Sequence, residues 1–229
     1  MATSGKIPGT VVQSANYADQ VSQILRRMIF DGQLRIGQRL NEVEISSSLG
    51  ISRAPLREAI QALANEGLLM TVPNRGSYVR TYTPDELGDL YELRIAIEVH
   101  SLGLTAVRAN PDELHDLDTM LDDTRERMDS EEQSLHYPEE LDFHLRLVGL
   151  ARSPELLGAA RSVHQRITLA RSRSGHQPHR AKDAFDEHRE LAGRLRAGDA
   201  VGAGRLLERH LRESLANALS ILRHESHDS

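Results

Sequence analysis

The sequence predicts a mainly α-helical protein in two parts: a small N-terminal unit of three helices closed by a β-hairpin, then an antiparallel bundle made only of helices. Three observations carry this. An apolar helical stripe, two short helices broken by glycine and a hairpin turn follow one another within the first eighty residues. From Thr83 onward no strand-like alternation occurs, and helix starts recur instead. Charge divides at the same place. The first eighty residues hold nine Lys and Arg against six Asp and Glu, net +3, and the remainder holds 19 against 28, net −9, within a chain total of −6. A basic head on an acidic body suits a head that meets a polyanion and a body that does not.

The elements follow in order. Residues 1–15 are small and polar and are expected to form a flexible tail. Val21, Ile24, Leu25, Met28 and Ile29 then fall on one helical face that begins near Tyr17 and ends at Gly32. Asn41 caps a short helix that turns Val43, Ile45 and Leu49 inward, and Gly50 breaks it. Ser52 is placed to cap a third helix, whose buried stripe is Leu56, Ile60 and Leu63. Pro55 lies in its first turn, where a missing N–H does little harm. Two strands, Leu68–Val72 and Ser77–Thr81, flank the turn Pro73-Asn74-Arg75-Gly76.

A helix, a glycine turn and a helix opening Ser-Arg-x-x-x-Arg form the grammar of a helix-turn-helix, whose second helix enters the major groove by its N-terminal end. Arg53 and Arg57 are four residues apart and project to one side. The planar guanidinium fork can donate two hydrogen bonds to guanine or phosphate. A basic hairpin after such a helix reads as a wing, with Arg75 at its turn. Read singly, these arginines are ordinary surface charge; their joint placement points to DNA.

The body shows repeated capping designs. Thr83-Pro84-Asp85-Glu86 has a cap, a proline at the first position and a glutamate three residues after the cap, and Asn110-Pro111-Asp112-Glu113 repeats it. Ser153-Pro154-Glu155 makes another start. Helices are expected near 84–108, 111–129, 138–150, 154–173, 180–197 and 199–223, with a polar loop over 174–180. The interior of such a bundle is a natural ligand or metal site. Of the 11 histidines, three stand out. His144 follows Glu140 by four residues on one helical face, His188 lies in the fifth bundle helix and His210 in the sixth. One carboxylate and three imidazoles suit Zn²⁺, Ni²⁺ or a similar divalent ion. Arg94 has Glu98 four residues on, which is either an exposed helical pair or a guanidinium facing the interior.

The stretch GQRLNEVEISSSLGISRAPLREAIQALANEGLL, followed by PNRGSYV, closely resembles the winged helix-turn-helix of GntR-family regulators. DLYELRIAIE resembles the opening helix of the FCD effector domain of the FadR-like branch, so the resemblance spans essentially the whole chain. It implies a DNA-binding domain over 16–82 and an effector-binding, dimerising domain over 83–229. It implies a homodimer that binds a palindromic double-stranded operator and is released by a small organic acid; a cytoplasmic location is expected from the lack of cysteine. Operator contacts carry over to Arg53, Arg57 and Gly76, with Ser52 and Arg75 beside them. A further arginine that some members use falls at Val43, and Arg39 is the candidate substitute. The family motif Asp-x-x-Phe-His stands here as Glu140-Leu141-Asp142-Phe143-His144, with Glu in place of the usual Asp, and Ser153 stands where Asn is frequent. Metal ligands carry over to Glu140, His144, His188 and His210, and effector binding to Arg94.

Other functions are disfavoured. No cysteine is present, which excludes disulfides and thiolate metal sites. Met1–Thr10 lacks a basic start and apolar run, so no signal peptide is expected, and no apolar stretch approaches a membrane span. Neither a zinc-protease HExxH, a nucleophile elbow nor a phosphate loop occurs, so an enzyme is not expected. A metal-sensing regulator, and more remotely a metal-dependent hydrolase, would use the same four ligands. A metal-free bundle for an acyl thioester is the remaining alternative.

Overall fold

The computed structural model describes the backbone of residues 11–129, 140–171 and 178–227. It divides into two compact units, Met1–Thr81 and Tyr82–Ser229.

In the first unit α1 (Val11–Phe30), α2 (Glu42–Leu49) and α3 (Arg53–Asn65) precede the antiparallel hairpin β1 (Leu69–Val72) and β2 (Gly76–Val79). α1 begins at Val11, so residues 11–15 belong to a helix rather than to the expected tail; residues 1–10 lie outside the described residues. α2 starts as its sequence dictates, with the Asn41 side chain accepting from the Glu44 N–H. It stops at Gly50, whose φ of 64° is the left-handed conformation that closes a helix at little steric cost. α1 packs on α3 through Val21, Leu25 and Ile29 against the stripe of Leu56, Ala59, Ile60 and Leu63. Leu40, Ile45, Leu68, Leu69 and Val79 complete the core. The hairpin pairs Leu69 with Val79 and Val72 with Gly76, so its alternation turns Leu69 and Val79 inward.

The second unit is helical throughout its described residues: α4 (Pro84–Arg108), α5 (Pro111–Asp129), α6 (Glu140–Leu150), α7 (Pro154–Arg171), α8 (Pro178–Arg196) and α9 (Ala200–His227). Both predicted capping boxes form. The Thr83 hydroxyl accepts from Glu86 N–H while the Glu86 carboxylate accepts from Thr83 N–H, and Asn110 and Glu113 exchange the same pair. Pro178 opens α8 instead of lying in the expected 174–180 loop, a position suited to a residue with no N–H to contribute. α4 runs through the unit and packs on α6, α7 and α9. Two apolar clusters result. One gathers Leu102, Leu117, Leu121, Phe143, Leu147, Leu191, Leu207 and Leu211. The other gathers Leu87, Tyr91, Ile97, Val148, Val163, Ile167 and Ala218. α4, α6 and α9 contribute to both, and polar side chains between those positions define the site below.

Candidate DNA interface and metal centre

On the first unit, Arg53 and Arg57 are both exposed on α3, Arg53 as its first residue. Arg57 Nε donates to Glu42 Oε2 at 2.9 Å. A pair this exposed contributes about 0–1 kcal/mol, so a phosphate or a base can take the arginine over. Ser52 holds the N-cap position with extended backbone, but its side chain makes no cap hydrogen bond. The capping role expected of it is thus not filled, and its exposed hydroxyl stands beside Arg53 at the mouth of the helix.

The hairpin turn is built by Pro73 and by Asn74 at φ 61°, and Arg75 N–H closes it on Val72 O at 3.0 Å. Arg75 is exposed, and the Tyr78 hydroxyl donates to its carbonyl at 3.2 Å. Gly76 follows with φ +97°. Arg39 bridges to Tyr78 and lays its guanidinium against this glycine, where a Cβ would come within 3.2 Å of Arg39 Nε. Arg39 is therefore a wing residue in space. Val43, where the resemblance implies a lost arginine, is 55% exposed rather than turned inward as its place in the helix suggested; Ile45 takes the buried position on α2.

In the second unit His144 of α6, His188 of α8 and His210 of α9 are fully buried and converge. His188 Nε2 lies 3.2 Å from His144 Nε2 and 3.4 Å from His210 Nε2. Two nitrogens bound at zinc distances stand about 3.4 Å apart in a tetrahedron and about 3.0 Å apart in an octahedron. The observed spacings fit ligands of one ion. The rings are held from behind. Phe143 stacks on His188 with centroids 4.3 Å apart. His210 Nδ1 donates to Glu187 Oε2 at 2.6 Å, which leaves Nε2 with its lone pair turned toward the other rings. His144 Nδ1 lies 2.7 Å from Glu98 Oε2, although its N–H does not point straight along that line. Burial drives the His144 imidazole down to about 4, with Glu98 opposing, so the ring is neutral near pH 7 and suited to ligation. These separations suit a hydrogen bond between neighbouring rings, and they equally suit ligation of one cation by all three.

Glu140 opens α6, but its side chain, like that of Asp142, lies outside the described residues. Arg94 is not an exposed helical partner of Glu98. Both are buried, and Arg94 Nε donates to Glu98 Oε1 at 2.7 Å. Arg94 thus reaches the triad through one carboxylate. His164 of α7 also meets Glu98 Oε1, at 2.5 Å. Burial pushes the Glu98 carboxyl up, yet Arg94, His144 and His164 together hold it well below the usual carboxylate range. Sequence reasoning missed His164 and Glu187. His164 carried a signal, since with Ala160, Val163 and Ile167 it forms a buried helical stripe in which an imidazole is out of place.

Comparison with known proteins agrees with this organisation. The family of bacterial regulatory proteins named gntR matches residues 17–79, and the FCD domain matches residues 89–213. The Nta operon transcriptional regulator of Aminobacter aminovorans is 42% identical over 138 residues, 60% of this chain and 65% of that one, just under two thirds of its length. The HTH-type transcriptional regulator YdhC of Bacillus subtilis is 30% identical over 172 residues, 73% of this chain and 75% of that one. A GntR regulator from Rhodococcus sp. RHA1 superposes with a TM-score of 0.74 at 27% identity, covering 90% of this chain and 98% of its own. Among the described residues no helix is long and apolar enough to cross a membrane. The chain belongs to the GntR family of bacterial transcription regulators, with a DNA-binding winged helix-turn-helix followed by an FCD domain, and it is a regulator rather than an enzyme.

Proposed function

We propose that this regulator is a metabolite-responsive repressor. It binds a palindromic operator as a cytoplasmic homodimer and is released by a small organic acid held in the bundle through a divalent ion. The convergence of three buried Nε2 atoms carries the reading. His144, His188 and His210, with Glu140, would hold the ion, and an imidazole-rich set favours zinc or nickel among divalent ions. A bound ion supplies positive charge and open positions for a carboxylate. Arg94 supplies a further buried cation one residue removed, fixed by Glu98. Release then requires that the acid bind one arrangement of the regulator more tightly than the other. On DNA, Ser52, Arg53 and Arg57 enter the major groove, and Arg39, Arg75 and Gly76 form the wing contact.

The test has two halves. Metal content of untagged wild type is measured by plasma mass spectrometry beside a His188→Ala/His210→Ala variant. Near one ion per chain, lost in the variant, is expected. No ion after reconstitution with zinc, nickel or manganese refutes the metal reading. Operator duplexes selected from a random pool are then titrated with and without metal and small carboxylates. Release by the acid only in the presence of metal is expected; a response to metal alone would make the ion itself the signal. Arg53→Ala and Arg57→Ala should each weaken the selected operator by about 1–3 kcal/mol. Wild-type affinity in both variants would remove them from the interface.

A further inference from the structure

Glu98 receives more than the partner four residues before it in α4. Its Oε1 lies 2.7 Å from Arg94 Nε and 2.5 Å from His164 Nε2, and its Oε2 lies 2.7 Å from His144 Nδ1. Side chains from three helices, α4, α6 and α7, meet on one carboxylate, and all four residues are buried. Arg94 and His164 thus meet Oε1, while His144 Nδ1 stands close to Oε2 and off the line of a straight hydrogen bond.

We infer that Glu98, held in place by Arg94 and His164, is a positioning residue that fixes the tautomer of His144, so that Nε2 keeps a lone pair toward the other two imidazoles. The reading of the triad as a metal centre underlies the consequence for the ion, but not the tautomer itself.

A neutral imidazole has a single N–H. His144 Nδ1 stands 2.7 Å from Oε2 of a carboxylate whose other oxygen accepts from the Arg94 guanidinium, so the carboxylate is the acceptor of this contact and the proton is assigned to Nδ1. Nε2 is then the lone-pair nitrogen, and it is the atom 3.2 Å from His188 Nε2. The carboxylate serves donors on both sides because each of its oxygens accepts. An amide in its place has one acceptor. Arg94 always presents N–H, and His164 presents its own beside it, so they claim the amide oxygen. The amide NH₂ is left facing His144 Nδ1, which must then accept, and the proton moves to Nε2, where it blocks ligation. His164 also takes its place in this scheme. It is a buried histidine whose ring centroid is 6.1 Å from that of His144, yet its Nε2 is committed to Glu98 rather than to the ion. It supports the centre from α7.

The inference is tested on the full chain with two readouts. Long-range ¹⁵N–¹H correlation of metal-free protein reads the tautomer of His144, and competition against a chromophoric chelator reads zinc affinity. Wild type should show His144 protonated on Nδ1. Glu98→Gln should move that proton to Nε2 and weaken zinc binding about 10–100-fold. His164→Gln, whose amide N–H can take the place of the ring N–H, should keep both properties near wild type, and His164→Leu should lose part of the zinc affinity. An Nε2-protonated His144 in wild type overturns the inference, whether or not any variant folds. So does a Glu98→Gln protein that keeps the wild-type tautomer. If wild type takes no zinc but Glu98→Gln still shifts the proton, the metal reading fails and the positioning role stands.

Discussion

Alanine at position 76 separates backbone strain from a DNA contact. Gly76 sits at φ +97°, a conformation that L side chains rarely adopt. Holding alanine on that side of the map costs about 1–2 kcal/mol. The new Cβ would also stand 3.2 Å from Arg39 Nε and 3.5 Å from its Nη2. Those atoms end a flexible exposed side chain, so Arg39 moves and the backbone does not. The energetic loss is therefore mostly strain, and the loss of position falls on Arg39. For a unit of this size 1 kcal/mol corresponds to about 4–8 °C in melting temperature. Gly76→Ala should thus lower the melting of the winged unit by roughly 5–15 °C. Arg39→Ala, which removes no strain, should leave melting near wild type. On a selected operator Arg39→Ala should weaken binding evenly across sequences and reduce the salt slope by about one, as a lost phosphate contact does. The two changes should combine less than additively in affinity, because both remove the same contact. Circular dichroism melts and fluorescence anisotropy at several salt concentrations measure these quantities. A Gly76→Ala protein that melts and binds like wild type would refute the reasoning; full additivity in affinity would refute the part that concerns Arg39.

Three further outcomes are expected. Phe143→Ala removes a fully buried ring stacked on His188, which should cost about 3–5 kcal/mol of bundle stability and weaken metal retention; denaturant melts and metal analysis check both. Arg94→Ala leaves Glu98 buried without its guanidinium, a loss of about 3–5 kcal/mol, and should abolish carboxylate binding by calorimetry in protein stabilised enough to assay. Unchanged calorimetry would remove Arg94 from the effector site. Chelation should lower the melting of the bundle alone, by about 2.7 kcal/mol for an ion present at a hundred times its dissociation constant, while the winged unit melts as before.

Most of the architecture was legible because its signals are local. Asn41, Gly50, Thr83 and Asn110 act within one turn of themselves, and each forms the cap or stop that its neighbours imply. The start of α1 was not legible, because Val11–Asn16 holds small and polar residues among which no apolar stripe is visible. Pro178 was read as loop for a similar reason: proline is at home both in a loop and in the first turn of a helix. In the bundle, the three histidines were recoverable by position, but their support was not. Glu98 was visible only as a neighbour of Arg94, and spacing of four looks the same on an exposed face as on a buried one. Burial is decided by helices α6, α7 and α9, which are distant in sequence. The wing shows the same limit. Arg39 lies far from Gly76 in the chain, and only the bridge to Tyr78 brings its guanidinium over the turn.

The chemistry of the bundle interior argues for a site more strongly than any one contact does. Arg94, Glu98, His144, His164, His188 and His210 are all buried, between two clusters of leucine, isoleucine, valine and phenylalanine. Stability alone does not explain them, since replacing buried ionic groups by apolar side chains of similar volume is often neutral or stabilising. A bundle selected only to fold would continue its leucines through these positions. α4 does so on either side, with Ile97 in one cluster and Leu102 in the other, and α9 does so with Leu211 and Ala218. The interruption between them brings together side chains from five helices, α4, α6, α7, α8 and α9. It presents imidazole nitrogens at the separation of ligands on one ion, backed by the carboxylates of Glu98 and Glu187. These buried polar groups mark the place in the bundle where the proposed ion and effector would bind.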